Sequence, residues 1–332
     1  MENHSPRDVL VTGGAGYIGS HAALELLRTG HRVRIIDTLE RGSIDTIRRL
    51  QAIGEVDFIQ GDCGDELLLQ EVLRGIDTIM HFAAFTRVDE SMACPELYQQ
   101  QNVEVTKSLA ESAAAHGIGQ FIFSSTCAVY GTPDEDHLPV SEAAPLNPEN
   151  TYGDTKARAE SILRRISQNH DSLNLGILRY FNVVGVDAKG VLQEPVVAAR
   201  LTSACLQTAL GNQSEFTLHG TDYDTSDGTA VRDFVHVSDI ARAHLALMDS
   251  LQPAIVSVYN VGCGHGTSVL QIVRAIEQIC GHSIPVIEGP RRPGDIPAIW
   301  ADSSRIQSEL GWSPHYTSIM DMLATSWQNA MK

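Results

Sequence analysis

Short apolar runs rich in Val, Ile and Phe recur through the first half of the chain, at 8–13, 32–37, 56–61, 77–83, 120–125 and 174–180. Each is bounded by turn residues and predicts a strand. Between them lie segments of helical period, such as "GSHAALELLRTG" and "VTKSLAESAAAHG". In the second, Leu109, Ala113 and Ala114 share a face while Lys107 and Glu111 lie elsewhere. Gly30 and Gly117 stand where two of these helices should end. Apolar strands alternating with helices imply a doubly wound α/β fold, a parallel sheet covered by helices on both faces.

After about residue 185 the rhythm loosens. The stretches 220–229 and 288–295 are polar and rich in turn residues, and helices are predicted over 196–211, 238–250, 268–280 and 318–330. The pattern divides the chain into a large unit, 1–185, and a smaller mixed α/β unit, 186–332. No flexible linker separates them, and the chain is expected to cross between them more than once.

Composition narrows the function. With 332 residues, 43% hydrophobic and 20% charged, this is an ordinary globular composition. A net charge of −17 argues against nucleic-acid or anionic-membrane partners. No apolar run is long enough to span a bilayer, and "MENHSPRDVLVTGG" passes from a polar tail into a strand without signal-peptide architecture. A cytoplasmic location is therefore expected. The six cysteines form no C-x-x-C pair; Cys94, Cys127, Cys205 and Cys280 sit among apolar or small residues and are expected to be buried thiols. The histidines lack metal-ligand spacing, and His21 and His236 are expected to be structural imidazoles; no metal is expected.

The first chemistry-bearing motif is "VTGGAGYIGSH", between a predicted strand and a predicted helix. Its Gly13, Gly14, Gly16 and Gly19 allow a tight turn, close approach to a pyrophosphate, and packing of helix on strand. The helix N-terminus then offers N–H groups to the phosphates. Eighteen residues after Gly19, Asp37 ends the second strand, where a carboxylate can take both hydroxyls of an adenosine ribose and repel a 2′-phosphate. A Rossmann-type fold is therefore expected, with NAD favoured over NADP as its cofactor and Arg41 nearby as a counterweight.

The stretch "TYGDTKARAE" places Lys156 one helical turn after Tyr152, using one of four lysines in the chain. A phenol needs its pKa lowered by about three units to act as a base at neutral pH, and an adjacent ammonium works in that direction. Upstream, "FIFSSTCAVYG" ends a predicted strand with three hydroxyls, Ser124, Ser125 and Thr126. Open parallel sheets put their active sites at such strand ends, and a hydroxyl there can hold a substrate oxygen.

Together with "HFAAFTRVDES", "NTYGDTK", "LRYFNVVG", "DYDTSDGTAVRDFVHV", "YNVGCGHGTSV" and "RRPGDIPAIWAD", these motifs resemble the UDP-glucose (UDP-galactose) 4-epimerase family. That family belongs to the extended branch of the short-chain dehydrogenase/reductase superfamily, and the resemblance runs from Val9 to about Tyr316. It implies Thr126, Tyr152 and Lys156 as catalytic residues. It implies a cofactor site built from Gly13, Gly16, Tyr17, Ile18, Gly19, Asp37, Thr38, Asp62, Cys63, Phe82, Ala83, Ala84, Asn102, Ser124, Tyr152, Lys156 and Tyr180. Thr126, Asn182, Arg200, Leu201, His219, Arg232, Arg292, Asp295 and Ile299 would bind the UDP-sugar. On this resemblance the larger unit binds NAD and the smaller one mainly the nucleotide sugar. The reaction would be a transient oxidation at C4, with the 4-keto sugar turning over before reduction on its opposite face. A homodimer is expected, through the helices at 93–116 and around Tyr152.

Several positions depart from the family pattern. Thr126 stands where serine is common, Thr38 where Asn follows the acidic residue, and Thr86 where a basic residue is frequent. His219 replaces an aromatic near uracil, Arg200 an Asn or His before Leu201, and Ile299 a position that varies with sugar size. These changes leave open an epimerase of another UDP-sugar, N-acetylated or uronic. A 4,6-dehydratase or decarboxylase would carry an acidic residue just after the hydroxyl, where this chain has Cys127 and Ala128. A non-enzymatic NAD sensor would not need Tyr152 and Lys156.

Overall fold

The computed structural model describes residues 5–194, 200–253, 255–292 and 294–332. Its first elements are β1 (Asp8–Thr12), α1 (Tyr17–Arg28), β2 (Arg32–Asp37), α2 (Ile44–Gln51), β3 (Val56–Gln60), α3 (Glu66–Val72) and β4 (Thr78–His81). Next come α4 (Val88–Ala93), α5 (Pro95–Tyr98), a π-helical turn at Gln99–Glu104, and α6 (Val105–Ala115). After these follow β5 (Gln120–Thr126), α7 (Thr151–Asn169), β6 (Asn174–Tyr180), β7 (Asn182–Val184), α8 (Leu201–Ala209) and β8 (Phe216–His219). Then come β9 (Val231–Arg232), β10 (Phe234–His236), α9 (Val237–Ser250), β11 (Ser257–Val261), β12 (Thr267–Ser268) and α10 (Val269–Cys280). The chain continues with β13 (Val286–Gly289), β14 (Ala298–Ile299), α11 (Ser304–Leu310) and α12 (Ile319–Ala330).

Seven of these strands form one parallel sheet in the order β11-β6-β5-β4-β1-β2-β3. The order reverses at β1, so the C-terminal ends of β1 and β4 diverge into a crevice, the place where such sheets receive ligands. The strands are apolar on both faces because both faces are covered. One core layer joins Val9, Val11 and Ile35 to Leu24 of α1 and Ile240 and Leu247 of α9. The other joins Leu10, Phe121 and Ile177 to Leu69 of α3, Leu109 of α6 and Leu163 of α7. This is the Rossmann-type doubly wound sheet that the strand–helix alternation predicts. Smaller sheets, β10-β7, β12-β9-β14 and β13-β8, adjoin a third cluster around Cys205, Ile272 and Leu323.

The predicted strands fall within two residues of those observed at each end, and the helices at 238–250, 268–280 and 318–330 within one. Of the helix predicted over 196–211, Leu201–Ala209 is helical, and 196–199 lie outside the described residues. The predicted helix at 93–116 is interrupted: Cys94 has φ −132° ahead of Pro95, and the π-helical turn precedes α6. That break corrects the expectation for Cys94, which lies exposed at the junction of two short helices rather than buried. Cys205 is buried, Cys127 and Cys280 are partly so, and all six cysteines are free.

Candidate active site

The glycine motif forms a turn that no side chain could share. Gly13 has φ +68°, and a Cβ there would lie 2.7 Å from the Ala83 nitrogen. A Cβ on Gly19 would lie 2.4 Å from the Gly13 carbonyl. Gly16 caps α1 with no side-chain acceptor, so the first N–H groups of the helix face the crevice unclaimed by a cap. Together with the carboxylate of Asp37 at the end of β2, this backbone cradle fits a dinucleotide.

Asp37 accepts from the Ala15 nitrogen at 3.0 Å and the Leu39 nitrogen at 2.8 Å, and burial raises its carboxyl above the usual range. Leu39 itself sits at φ +63°, a strained conformation for a branched residue that the two-sided turn enforces. Thr38 is exposed on that turn, as is Asp62 after β3, while Cys63 is buried and its thiol is pushed up to about 12 by burial. Phe82, Ala83 and Ala84 follow β4, where the Ala83 nitrogen donates to the Thr12 hydroxyl at 3.3 Å. Asn102, on the π-helical turn, spends its amide within the protein. It accepts from the Phe85 nitrogen at 2.8 Å and donates to the Phe85 carbonyl at 2.9 Å and the Thr155 hydroxyl at 3.1 Å. Ile18 packs against the core layer of α1, and the Tyr17 hydroxyl donates to the Gly185 carbonyl.

The hydroxyl, phenol and ammonium converge at the end of β5. Asn150 caps α7, its side chain accepting from the Gly153 nitrogen at 2.9 Å, which starts the helix one residue before Tyr152. Successive strand residues point to opposite faces, so Ser124 and Thr126 share one side of β5 and Ser125 the other. Thr126 pairs in register with Tyr180 on β6. Tyr152 is half-buried, and burial raises its phenol well above 10, with the Thr126 hydroxyl pulling the other way. Lys156 is buried and donates from Nζ to the Ser124 carbonyl at 2.8 Å, with the Phe123 ring 4.5 Å away. In this geometry the Thr126 hydroxyl, rather than Lys156, is the group that draws the phenol downward. Tyr180 hydrogen-bonds His244 at 3.2 Å and is likewise held neutral by burial.

On the opposite wall, Arg232 donates to the Val231 carbonyl at 2.9 Å and meets Asp295 at 3.1 Å. Arg292 is exposed beside them, and His219 ends β8 with Nδ1 3.2 Å from the Pro290 carbonyl. Asn182 starts β7, paired with Phe234. Ile299 is 1% exposed and packs with Val129, Tyr130, Val140 and Phe181, directly behind the turn that follows Thr126. Arg200 meets Glu194 at 3.4 Å and lies 4.0 Å over the Tyr17 ring, while Leu201 begins α8.

Three buried groups around this site carry no sequence-level expectation. Asp233 accepts from the Cys263, Gly264 and Ala301 nitrogens at 2.8, 2.9 and 3.1 Å, which fixes the strand beside Arg232. Glu160 and Arg179 form a bidentate pair at 2.9 and 2.6 Å beneath β5. Only Glu160 left a trace in the sequence, four residues after Lys156 on the same helix face. His21 and His236 are neutral, each lowered by burial to about 4. The Cys127 thiol, pushed up to about 12 by burial, puts no acid where a dehydratase would carry one.

The sequence model of the NAD dependent epimerase/dehydratase family matches residues 9–262. UDP-arabinose 4-epimerase 1 of Arabidopsis thaliana is 41% identical, over 99% of this chain and 81% of its own. UDP-glucose 4-epimerase 4 of Oryza sativa subsp. japonica is 40% identical, over 98% of this chain and 90% of its own. Among solved structures, UDP-glucose 4-epimerase from Bifidobacterium longum in complex with NAD+ and UDP has a TM-score of 0.92 and 41% identity, covering 97% of this chain and 98% of that one. UDP-glucose 4-epimerase from Stenotrophomonas maltophila, bound to NAD and formylated UDP-arabinopyranose, has a TM-score of 0.90 and 36% identity, with 98% of each chain covered.

Proposed function

The chain belongs to the NAD dependent epimerase/dehydratase family, in its UDP-glucose 4-epimerase branch, and is an NAD-dependent nucleotide-sugar 4-epimerase; we propose that it interconverts UDP-glucose and UDP-galactose. The observation that carries the chemical assignment is the meeting of Thr126, Tyr152 and Lys156 at the end of β5, above the glycine turn. Bound NAD supplies the acceptor, and then the donor, of the hydrogen at C4. Tyr152 takes the O4 proton and returns it, so its phenol must ionise in the complex. The Thr126 hydroxyl, already directed at that phenol, holds O4 beside it. Lys156 is aligned by the Ser124 carbonyl so that its remaining donors are free for the cofactor ribose.

Arg232 and Arg292 would neutralise the diphosphate, and Asp295, His219 and Asn182 would line the nucleoside. In this reading residues 1–185 carry NAD and the chemistry, and 186–332 mainly the nucleotide sugar. A homodimer through the helices at 93–116 and around Tyr152 would cover the groove between α5 and α7, lined by Met92, Pro95, Gln99, Pro148, Thr151 and Arg158. A cytoplasmic location is part of the same reading; no helix among the described residues is long and apolar enough to cross a membrane.

The test is to incubate purified protein with UDP-galactose, without added NAD, and follow UDP-glucose by proton NMR. Conversion at a catalytic rate is expected. UDP-arabinose offered in parallel decides the sugar: faster turnover of the pentose would replace the hexose reading.

A further inference from the structure

In the sheet, β1 lies between β4 and β2, so the glycine turn after β1 stands between the segments that follow its two neighbours. Both segments touch that turn. On the β2 side, the Ser43 nitrogen donates to the Ala15 carbonyl at 3.2 Å, and a Cβ on Gly42 would lie 2.6 Å from that of Ala15. On the β4 side, Ala83 closes on Gly13. Arg41, next to Gly42, joins the two sides. Its Nη2 donates to Glu90 Oε1 on α4 at 2.8 Å, and its guanidinium lies 4.3 Å from the centre of the Phe85 ring.

The far end of this bridge is firmly seated. Glu90 Oε2 accepts from the Tyr98 hydroxyl at 2.9 Å, and that hydroxyl accepts from the Arg87 nitrogen at 2.9 Å. The Tyr98 ring meets Phe85 edge to face, with centroids 5.9 Å apart. Phe85 is held at both its N–H and its carbonyl by the Asn102 amide. Ser91, beside Glu90, accepts from the Tyr152 nitrogen at 3.2 Å, which ties α4 to the start of α7. Yet the bridge does little for the fold. The Arg41 and Glu90 side chains are 43% and 21% exposed, and an ion pair so open to water contributes little to stability.

We propose that Arg41 and Glu90 strap the cofactor into its crevice and set the rate at which NAD leaves. The glycine turn is where a dinucleotide seats its pyrophosphate, and the pair spans that turn from one flank to the other. For NAD to leave, the ion pair must part and the guanidinium must come off the Phe85 ring, and each contact adds to the barrier. Slow release suits this reaction, because the hydride taken from C4 returns to the same sugar. Release in mid-cycle would strand the oxidised sugar. Asn102 gains a use in the same arrangement: its amide, spent wholly within the protein, holds the ring on which Arg41 rests.

The experiment compares the parent enzyme, Arg41→Met, Glu90→Gln, Arg41→Lys and the Arg41→Met, Glu90→Gln double variant. Each is loaded with radiolabelled NAD and chased with an excess of unlabelled NAD, and the label left on the protein is followed by gel filtration. Release should be at least about fivefold faster in Arg41→Met, which loses both the ion pair and the stack. Glu90→Gln keeps an acceptor for Tyr98 and removes only the charge, so its release should be faster than the parent's by about twofold or more. The double variant should match Arg41→Met, because the carboxylate acts through the guanidinium. Arg41→Lys, which keeps the charge without the planar group, should fall between the parent and Arg41→Met. Parent-like release in Arg41→Met, or effects that multiply in the double variant, would overturn the proposal. So would fast release in Arg41→Met beside parent-like release in Glu90→Gln, which would make Arg41 a phosphate contact in its own right and leave the strap without a partner.

Discussion

Arg232 and Asp295 face each other at 3.1 Å, each the counter-ion of the other, with the arginine side chain 12% exposed. The guanidinium is also held by the Val231 carbonyl at 2.9 Å, so its orientation is set by backbone before the carboxylate contributes. On the proposed reading, an arginine fixed this way would receive the diphosphate in place of, or alongside, Asp295.

Arg232→Met should therefore weaken UDP-sugar binding with little effect on turnover. A charge-assisted contact of this kind contributes about 1.5–3 kcal/mol, or roughly ten- to a hundredfold in KM. Calorimetry with UDP should show the same loss, and unchanged UDP affinity would take Arg232 out of the phosphate site.

Tyr152→Phe removes the proposed proton acceptor but keeps the ring. Turnover should fall at least about 10²-fold, in the range expected for a lost general base, while NAD stays bound. Retained NAD absorbance and fluorescence in the purified variant check the second half. Near-normal turnover would sink the assignment.

Lys156 should cost the protein stability at low pH. Its folded pKa of about 7 lies below the ordinary 10.5, so between these values the unfolded chain binds more protons than the folded one. Stability attributable to this residue accordingly rises with pH through that window and is lowest below about pH 7. Lys156→Met should be more stable than the parent in urea at acidic pH, with the advantage fading as pH rises toward 10.5. An advantage independent of pH would point to packing instead of charge.

On the proposed reading, Ile299 sets the room behind the cleft. It lacks the phenol that a tyrosine would place there, yet it is stiff at χ1 and fully packed against Tyr130 and Phe181. UDP-glucose and UDP-galactose should be preferred and UDP-N-acetylglucosamine slower. Ile299→Cys should raise the slower activity. Ile299→Tyr should abolish it and, by overpacking the cluster, lower stability by about 1–3 kcal/mol. Initial rates on both sugars, read beside a thermal melt, separate the two effects; equal loss of both sugars would show that the residue does not gate the pocket.

How much of this was legible in the sequence depends on the range of the interaction. β2 and β6 were readable to the residue because an apolar run between turn signals is a local property. The positions of Tyr152 and Lys156 on α7 were readable for the same reason: cap, spacing and helix lie within one short stretch. Asn102 was read as lining the cofactor. Its bonds to Phe85 and Thr155 depend on a π-helical turn that shifts the helix face, and no periodicity announces such a turn. Glu160 and Arg179 are nineteen residues apart on different elements, and only the β5–β6 register brings them together. β11 carries no expectation in the sequence, although a predicted helix at 238–250 precedes it, because its partner β6 lies far upstream, beyond the stretch where the strand–helix rhythm loosens.

That last strand has a consequence for how the protein can be made and cut. β11 hydrogen-bonds β6 from Gly176 to Tyr180, and α9, immediately before it, covers the same side of the sheet as α1. A chain ending at residue 185 would contain the glycine turn, Asp37, Tyr152 and Lys156, yet it would leave β6 as a naked edge and the α1 face uncovered. Exposed edges of that kind recruit other strands and aggregate. On a ribosome, the seven-stranded sheet is incomplete until Val261 has emerged, well after Thr126, Tyr152 and Lys156 have been synthesised. A fragment ending at residue 185 should therefore lack an independently stable cofactor sheet.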